Sequence, residues 1–549
     1  MTILSTPTRF FISVANAINS TDSGDDEDKL FLSMARWFER SKISRDNYEL
    51  LRQIVRTYLG VRLPSLRRKT ERIEKMTGIG PRFIHCCINT CIAFTGTHAE
   101  KTDCPHCGED RYVDVGNEAR KTFVYIPLTN RLRLQYRNAV RAKALVEYRR
   151  NLLERGQAAG QDELADFFHG HLYNDFHVKK LGLFQDPHDI ALHMSLDGVQ
   201  LTNMRHHEVT PVTFMNLNLP PEERYLVKNI LAGLVIPGPK KPQEIDTFLR
   251  PLVDELLDLD KGVDAWDGYS NTPFQLKAWV TMVTGDGPAL AEAIGMKRPG
   301  NAVRPCRTCE IGATLGGNHY YVPHDNYNFE NPPLRHNLRK LIRQVERYGN
   351  DDTRKRTGIT RRSILLELRS LHFPRSFPAD IMHLALQNIA PNLYQLWSRK
   401  KLSVDKPGNP NFAARPYHLD DAFISEISAS LVRARRDIPT FLSNTPRRID
   451  KNHKGYKASE WKAWVELFGI PLLDQRLDDS CVENFRLLSC IYSLSTQLSL
   501  RRLEVNILDD LVVRFVRSYE DIYYCNRDPK WMSVCSINIH YLLHFPAYI

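Results

Sequence analysis

No run of apolar residues in the 549-residue chain approaches the ~20 needed to cross a bilayer, which argues against a membrane-spanning segment. No secretory leader is expected either. The stretch Phe10-Phe11-Ile12-Ser13-Val14-Ala15 is short and runs into the acidic residues Asp22, Asp25 and Asp28, so neither a signal peptide nor an anchor is expected. There is no internal repeat and no long low-complexity tract, which removes repeat arrays and linker-like chains. Negative charge is in deficit: 75 lysines and arginines against 64 aspartates and glutamates leave a net +11, which favours an anionic partner such as nucleic acid. A disulfide framework is not expected either. The eleven cysteines are odd in number, six of them sit in closely spaced pairs, and without a secretion signal such pairs read as reduced thiols and metal sites. What is present is ordinary globular usage, 42% hydrophobic and 25% charged, which excludes general disorder and leaves room for about two to four domains.

Along the chain, residues 1–28 read as a disordered tail and 29–84 as a helical region. Leu30, Met34, Trp37 and Phe38, and then Leu50, Leu51, Ile54, Tyr58 and Leu59, recur at helical spacing, and Ser44 is placed to cap the second helix. Arg67, Arg68, Lys69 and Arg72 form a basic cluster, read either as a solvated helix face or as a phosphate contact. Residues 85–115 are cysteine- and turn-rich, 116–185 are expected to be a helical connector, and 186–390 carry strand-like runs. A basic stretch at 300–375 includes Arg354-Lys355-Arg356 and Arg361-Arg362, and 391–549 read as mostly helical.

Cys87 and Cys91, then Cys104-Pro-His-Cys107-Gly108, place two thiol-bearing turns close together. Zn²⁺ takes four tetrahedral ligands, and two such turns supply them, forming a small zinc ribbon. His85, Cys86, His98 and His106 are alternative ligands, so the register is open. Four protein ligands leave no open coordination position, which makes this a structural site.

The run from Ile190 to Thr202 reads as a strand carrying Asp197, and Val209–Leu217 and Leu226–Ile236 as two more. Ile245, Phe248, Leu249, Leu252, Val253, Leu256 and Leu257 form one apolar helix stripe, and a fourth strand, Leu276–Thr284, ends at Gly285-Asp286-Gly287. Three sequential strands most economically make an antiparallel meander, and the crossover helix then returns the fourth strand parallel to the first. Asp197 and Asp286 converge in that arrangement, and such a carboxylate pair is what Mg²⁺ (or Mn²⁺) ions need to flank a scissile phosphate. The order matches a mixed α/β fold of the ribonuclease H-like kind found in nucleases, integrases and transposases.

Several segments in order resemble the Tnp2-type transposases of CACTA (En/Spm) DNA transposons, especially their fungal branch. They are Asp189-Ile-Ala-Leu192, Ser195-Leu-Asp-Gly198, Asn218-Leu-Pro-Pro221, Ile236-Pro-Gly-Pro-Lys-Lys-Pro242, Gly285-Asp-Gly-Pro-Ala289 and Pro305-Cys-Arg-Thr-Cys309. The ribbon segments Cys91–Gly96 and Cys104–Gly108 are similar to that family's N-terminal region. The resemblance implies a DDE/D transposase, with Asp197 and Asp286 as the first two metal ligands and a third acid on a late helix. An Asp-x-x-His element is implied after the second acid, and Asp380-Ile-Met-His383 fits it, with His383 orienting a phosphate or supporting a metal-bound carboxylate. The other reading of His383 is a satisfied, partly buried histidine. Cys306 and Cys309 need partners. Related recombinases join such a pair to two distant histidines, here His540 and His544, while His319 is the nearer alternative.

The implied third acid lies beyond the histidine pair in the family, and this sequence stops at Ile549, which reads as a C-terminal truncation. Glu367 and Glu483 are weaker replacements. A missing third ligand predicts severe loss of activity. Three functions follow as expectations: a DNA transposase homologue inactive through that loss, a non-catalytic DNA-binding protein using the ribbon and the basic helices, or a zinc-ribbon interaction module. The first implies double-stranded DNA (element ends and target) as partner, Mg²⁺ or Mn²⁺ at the aspartates, structural Zn²⁺, a nuclear location, no membrane, and room for a homo-oligomer.

Overall fold

A computed structural model of the chain describes residues 45–59, 63–113, 116–158, 162–200, 208–325, 327–333, 338–398, 417–434, 438 and 446–549. The expected tail at 1–28, the helix around Leu30–Phe38 and the cap at Ser44 lie outside these residues. The first two described helices are α1 (Arg45–Leu59) and α2 (Leu66–Thr77). Ser65 opens α2 by accepting from the Arg68 amide, and Gly78 closes it in the left-handed conformation, φ 64°. Arg67 and Arg68 stand exposed on α2, and Arg67 pairs with Glu71 at 2.7 Å.

A seven-stranded mixed sheet follows. Its strands are β1 (Arg82–His85), β2 (Thr122–Tyr125), β3 (Ile190–Leu196), β4 (Val199–Gln200), β5 (Glu208–Asn216), β6 (Leu231–Ile236) and, beyond the hairpin β7 (Val263–Asp267) and β8 (Thr272–Leu276), β9 (Ala278–Gly285). The order across the sheet is β1-β2-β6-β5-β3-β9, with the short β4 paired to β5. β3, β5 and β6 are the antiparallel meander, and β9 lies parallel beside β3. Helix α3 (Thr129–Arg137) and helix α4 (Ala139–Ala158) bridge β2 to the meander, and α5 (Ile245–Lys261) lies between β6 and the β7–β8 hairpin, ahead of β9. Its stripe of Phe248, Leu249, Leu252, Val253 and Leu256 is buried against Leu192, Met194, Val212 and Phe214, as the helical spacing predicts.

Side chains alternate across a strand, so β3 divides its residues between two environments. Ile190, Leu192, Met194 and Leu196 enter the core under α5. On the opposite face Ala191 joins an apolar cluster with Trp279 and Phe184, and then His193, Ser195 and Asp197 carry polar groups toward the strand end.

The sequence reading missed three features. Strand β2 lies where helix was expected, and with β1 it brackets the ribbon, so the cysteine-rich segment is an excursion between two paired strands of the main sheet. The strand expected over Leu226–Ile236 is shorter, a turn of 3₁₀-helix occupying Val227–Asn229. The strand expected from Leu276 is the end of one hairpin strand and the start of β9; that hairpin turns at Gly268, where a Cβ would stand 2.4 Å from the Arg137 carbonyl oxygen. Short β-runs and their turns carry too little periodicity to fix such limits from sequence.

A second, helical core holds Met382–Ile389, which is wound as a π-helix, the continuing helix to Trp397, α6 (Asp479–Ser495), α7 (Arg502–Tyr523) and α8 (Ile537–Leu542). No described helix is long and apolar enough to cross a membrane.

Candidate functional site

Asp197 follows the last residue of β3 and Asp286 the last residue of β9. Because Leu196 is paired with Gly285 in a parallel ladder, the two aspartates leave adjacent positions at the same end of neighbouring strands, although 89 residues separate them in sequence (286 − 197). Gly285 permits this approach: a Cβ there would stand 2.3 Å from the Leu196 carbonyl oxygen. Asp286 also opens the helix Gly287–Ala293, its Oδ1 accepting from the Ala289 amide at 2.6 Å.

Asp380 and His383 belong to the same group. Asp380 Oδ1 accepts from the Met382 amide at 2.8 Å, and Oδ2 lies 2.8 Å from His383 Nδ1. Burial raises the Asp197 carboxyl above the ordinary carboxylate range, and the like charges of Asp286 and Asp380 raise it further, while His383 opposes them. The His383 imidazole is held more basic than usual by its hydrogen bond to Asp380, with Asp197 and Asp286 adding to the effect against burial. Burial would raise Asp380, but its bonds to His383 and the Met382 amide win, and its carboxyl is lowered. Beneath them His193 Nε2 meets the Thr284 hydroxyl at 2.7 Å, and burial pushes that imidazole down to about 4. Three carboxylates and one basic imidazole therefore share one electrostatic neighbourhood. Glu367 and Glu483 are part-exposed and paired with Arg250 and Arg486 respectively.

The ribbon cysteines come together. Sγ atoms of Cys87, Cys91, Cys104 and Cys107 all lie within 4.8 Å of one another, and Cys87 Sγ is 3.5 Å from Cys107 Sγ. Sulfurs around one tetrahedral Zn²⁺ at ~2.3 Å are about 3.8 Å apart, so the donors fit that ion. The Asn89 amide donates to Cys87 Sγ at 3.3 Å. Cys107 is lowered to about 7: burial acts against this, and hydrogen bonds from the Glu109 amide, Asn89 and neighbouring thiols outweigh it. The alternative ligands are occupied elsewhere. Burial pushes the Cys86 thiol up to about 12, the Arg111 guanidinium donates to His85 Nδ1, and His98 and His106 both bind the Glu244 carboxylate. Through Glu244, and through Cys91 O, which accepts from the Gln243 and Glu244 amides, the ribbon is fastened to the start of α5.

A second group gathers Cys306, Cys309, His540 and His544, all buried, again with ligand atoms within 4.8 Å of one another. His540 Nε2 is 3.1 Å from both Cys309 Sγ and His544 Nε2. The Thr308 and Cys309 amides both donate to Cys306 Sγ. Burial would raise the Cys306 thiol, but its bond with Cys309 and the nearby imidazoles hold it well below the ordinary thiol range. His319 is exposed on a separate two-stranded hairpin, outside this group. The knuckle also reaches toward the acidic group. Arg307 donates to the Phe377 carbonyl at 2.7 Å, and on α8 Asn538 donates to Asn388, which in turn donates to the His383 carbonyl.

Sequence reasoning missed His193, Thr284, Glu244 and the polar groups behind His540. None sits in a spaced motif, and only the fold brings them to their partners.

Residues 162–369 match the sequence model of a family described as transposase family tnp2, a stretch that takes in Asp197, Asp286, Cys306 and Cys309. The match covers less than half of the chain and supports kinship with transposases. No curated protein matches the chain.

Proposed function

We propose that the chain is a transposase-derived DNA-binding protein whose sheet end is built for divalent-cation chemistry on phosphodiesters, in a ribonuclease H-like core of the CACTA type. The observation that carries this is the register of Leu196 with Gly285, which brings Asp197 and Asp286 side by side within a stretch similar to a transposase. A divalent cation bound there supplies Lewis-acid activation of a phosphate oxygen and of the attacking water or hydroxyl. Asp197 and Asp286 hold it. Asp380 orients His383 by accepting from its Nδ1–H, and in the imidazolium form favoured by the bond to Asp380 and the nearby carboxylates Nε2–H is left to donate to a phosphate oxygen. Exposed Lys241 and Arg298 are close enough to act on Glu292 together with Asp286, and Lys240 beside Lys241 in the chain is exposed too. Arg354, Arg356 and Arg362 are exposed as well, and exposed cations of this kind suit sequence-blind phosphate binding. Zinc holds the ribbon and the Cys306 knuckle as structural sites, and a nuclear location follows from the DNA substrate.

A second reading is non-catalytic DNA binding, favoured by the engagement of Glu367 and Glu483 in ion pairs with Arg250 and Arg486. One experiment tests both. Duplex DNA binding is measured across a salt series, and nicking of supercoiled plasmid is measured with Mn²⁺. Salt-sensitive binding is expected, and nicking that is lost in Asp197→Asn supports the catalytic reading. Binding without nicking supports the second. Absence of DNA affinity at low salt overturns both.

A further inference from the structure

Behind the Cys306–Cys309–His540–His544 group lies a chain of buried polar groups that no spacing in the sequence announces. His540 turns Nε2 toward the sulfur of Cys309, and its Nδ1 lies 3.0 Å from Nε2 of His324. The two rings stack, their centroids 5.2 Å apart and their planes 25° from parallel. His324 Nδ1 is 2.8 Å from Glu520 Oε1, and the His324 amide donates to the same carboxylate. Arg527 closes the series by donating to Glu520 Oε2 at 2.7 Å. The His324 and Glu520 side chains are only 2% and 3% exposed, so water does not substitute for these contacts.

The hydrogen bonds have one consistent direction. A histidine that ligates through Nε2 carries its proton on Nδ1, and His540 then donates to Nε2 of His324. His324, accepting at Nε2, carries its own proton on Nδ1 and donates it to Glu520. A carboxylate only accepts, so the series can end there, neutralised by Arg527. The same chain ties the loop at residue 324 to α7 and α8. Outer partners of this kind fix ring orientation and raise ligand basicity, and losing one costs roughly 10- to 100-fold in metal affinity.

We infer that His324 and Glu520 are positioning residues of the Cys306–Cys309–His540–His544 metal site, holding His540 as an Nε2 ligand and slowing release of the ion. The inference rests on that group binding zinc, and the test separates the two ideas. Full-length protein is loaded with Zn²⁺, its zinc content measured, and release to a chromogenic chelator followed in time. The ribbon ion serves as an internal reference. Cys306→Ser is expected to remove one of two zinc ions. If it retains both, the site itself is wrong. His324→Ala is expected to keep two ions but release one of them about 10- to 100-fold faster, leaving the ribbon ion at the wild-type rate. Glu520→Gln, which keeps side-chain volume, is expected to accelerate the same phase by a smaller factor. Co²⁺-loaded protein supplies a readout that packing alone does not move: both variants are expected to shift the visible d–d bands of this site. One zinc lost in Cys306→Ser, with wild-type release and unchanged cobalt bands in Glu520→Gln, overturns the inference and leaves the metal site standing. If His324→Ala does not fold, Glu520→Gln decides.

Discussion

Asparagine at position 197 keeps the shape of the aspartate and removes its charge, so it isolates what the clustered carboxylates cost the fold. Adjacent strands lie ~4.8 Å apart. Two full charges at about 5 Å repel by ~3 kcal/mol at an effective dielectric constant near 20. His383, facing the same group, outweighs that repulsion, and burial of the charge is the largest cost that asparagine relieves. The net relief expected from Asp197→Asn in EDTA is therefore on the order of 1 kcal/mol of added stability. A cation reverses the order. At about 100 times its dissociation constant, a ligand that binds only the folded state adds ~2.7 kcal/mol, which the wild type gains and the variant does not. Urea unfolding followed by tryptophan fluorescence, in EDTA and in Mn²⁺, is expected to show the two curves exchanging places. The pH sign agrees. A carboxyl held above its ordinary 3.8 binds protons more tightly folded than unfolded, so its contribution to stability declines as pH rises from 3.8 through the raised value, and Mn²⁺ affinity grows over the same range. A variant less stable than wild type in EDTA, with Mn²⁺ protecting both equally, would refute this reasoning.

Asp286 combines a cap with its place in the acidic group. Asp286→Asn is expected to lose cation binding but keep the cap to Ala289, whereas Asp286→Ala loses both and costs a further ~0.5–2 kcal/mol in urea unfolding. Arg224 and Asp166 form an ion pair with side chains 4% and 1% exposed, and Arg224 also donates to the Leu217 and Leu219 carbonyls. Arg224→Ala strands a buried carboxylate and is expected to destabilise by about 3–5 kcal/mol in the same assay. Glu244 holds His98 and His106 on the ribbon; burial would raise its carboxyl, but the two histidines lower it below the ordinary 4.5. That contribution is complete above about pH 4.5 and is lost as pH falls through the lowered value, so amide exchange in the ribbon is expected to accelerate there in wild type. Glu244→Gln is expected to remove that step.

Much of the arrangement was legible in residue order because it depends on local period and on connection rules. The stripe of α5 shows in its spacing, and the meander with a returning parallel strand follows from three strands, a helix and a fourth strand. The adjacency of the backbone positions of Asp197 and Asp286 is a consequence of that topology, and the Gly285 beside it marks where two backbones touch. The thiols of the ribbon were legible because a metal-binding knuckle needs its donors a few residues apart. Other features were not. Strands β1 and β2 have four residues each, too few to show alternation; they pair with each other, and β2 alone joins them to β6. His324 and Glu520 are 196 residues apart and belong to no spaced pattern, so nothing short of the fold joins them. His193 sits in an apolar run and reads as a core residue, yet it stands below the acidic group because alternation sends it to the other face of β3.

The measurement closest to the heart of this account is an anomalous difference map from crystals of the chain soaked in Mn²⁺ and collected at the manganese edge. A peak shared by the carboxylates of Asp197 and Asp286, and absent in Asp197→Asn, is the predicted result. Manganese bound only elsewhere, or no peak between those two side chains at saturating ion, contradicts it.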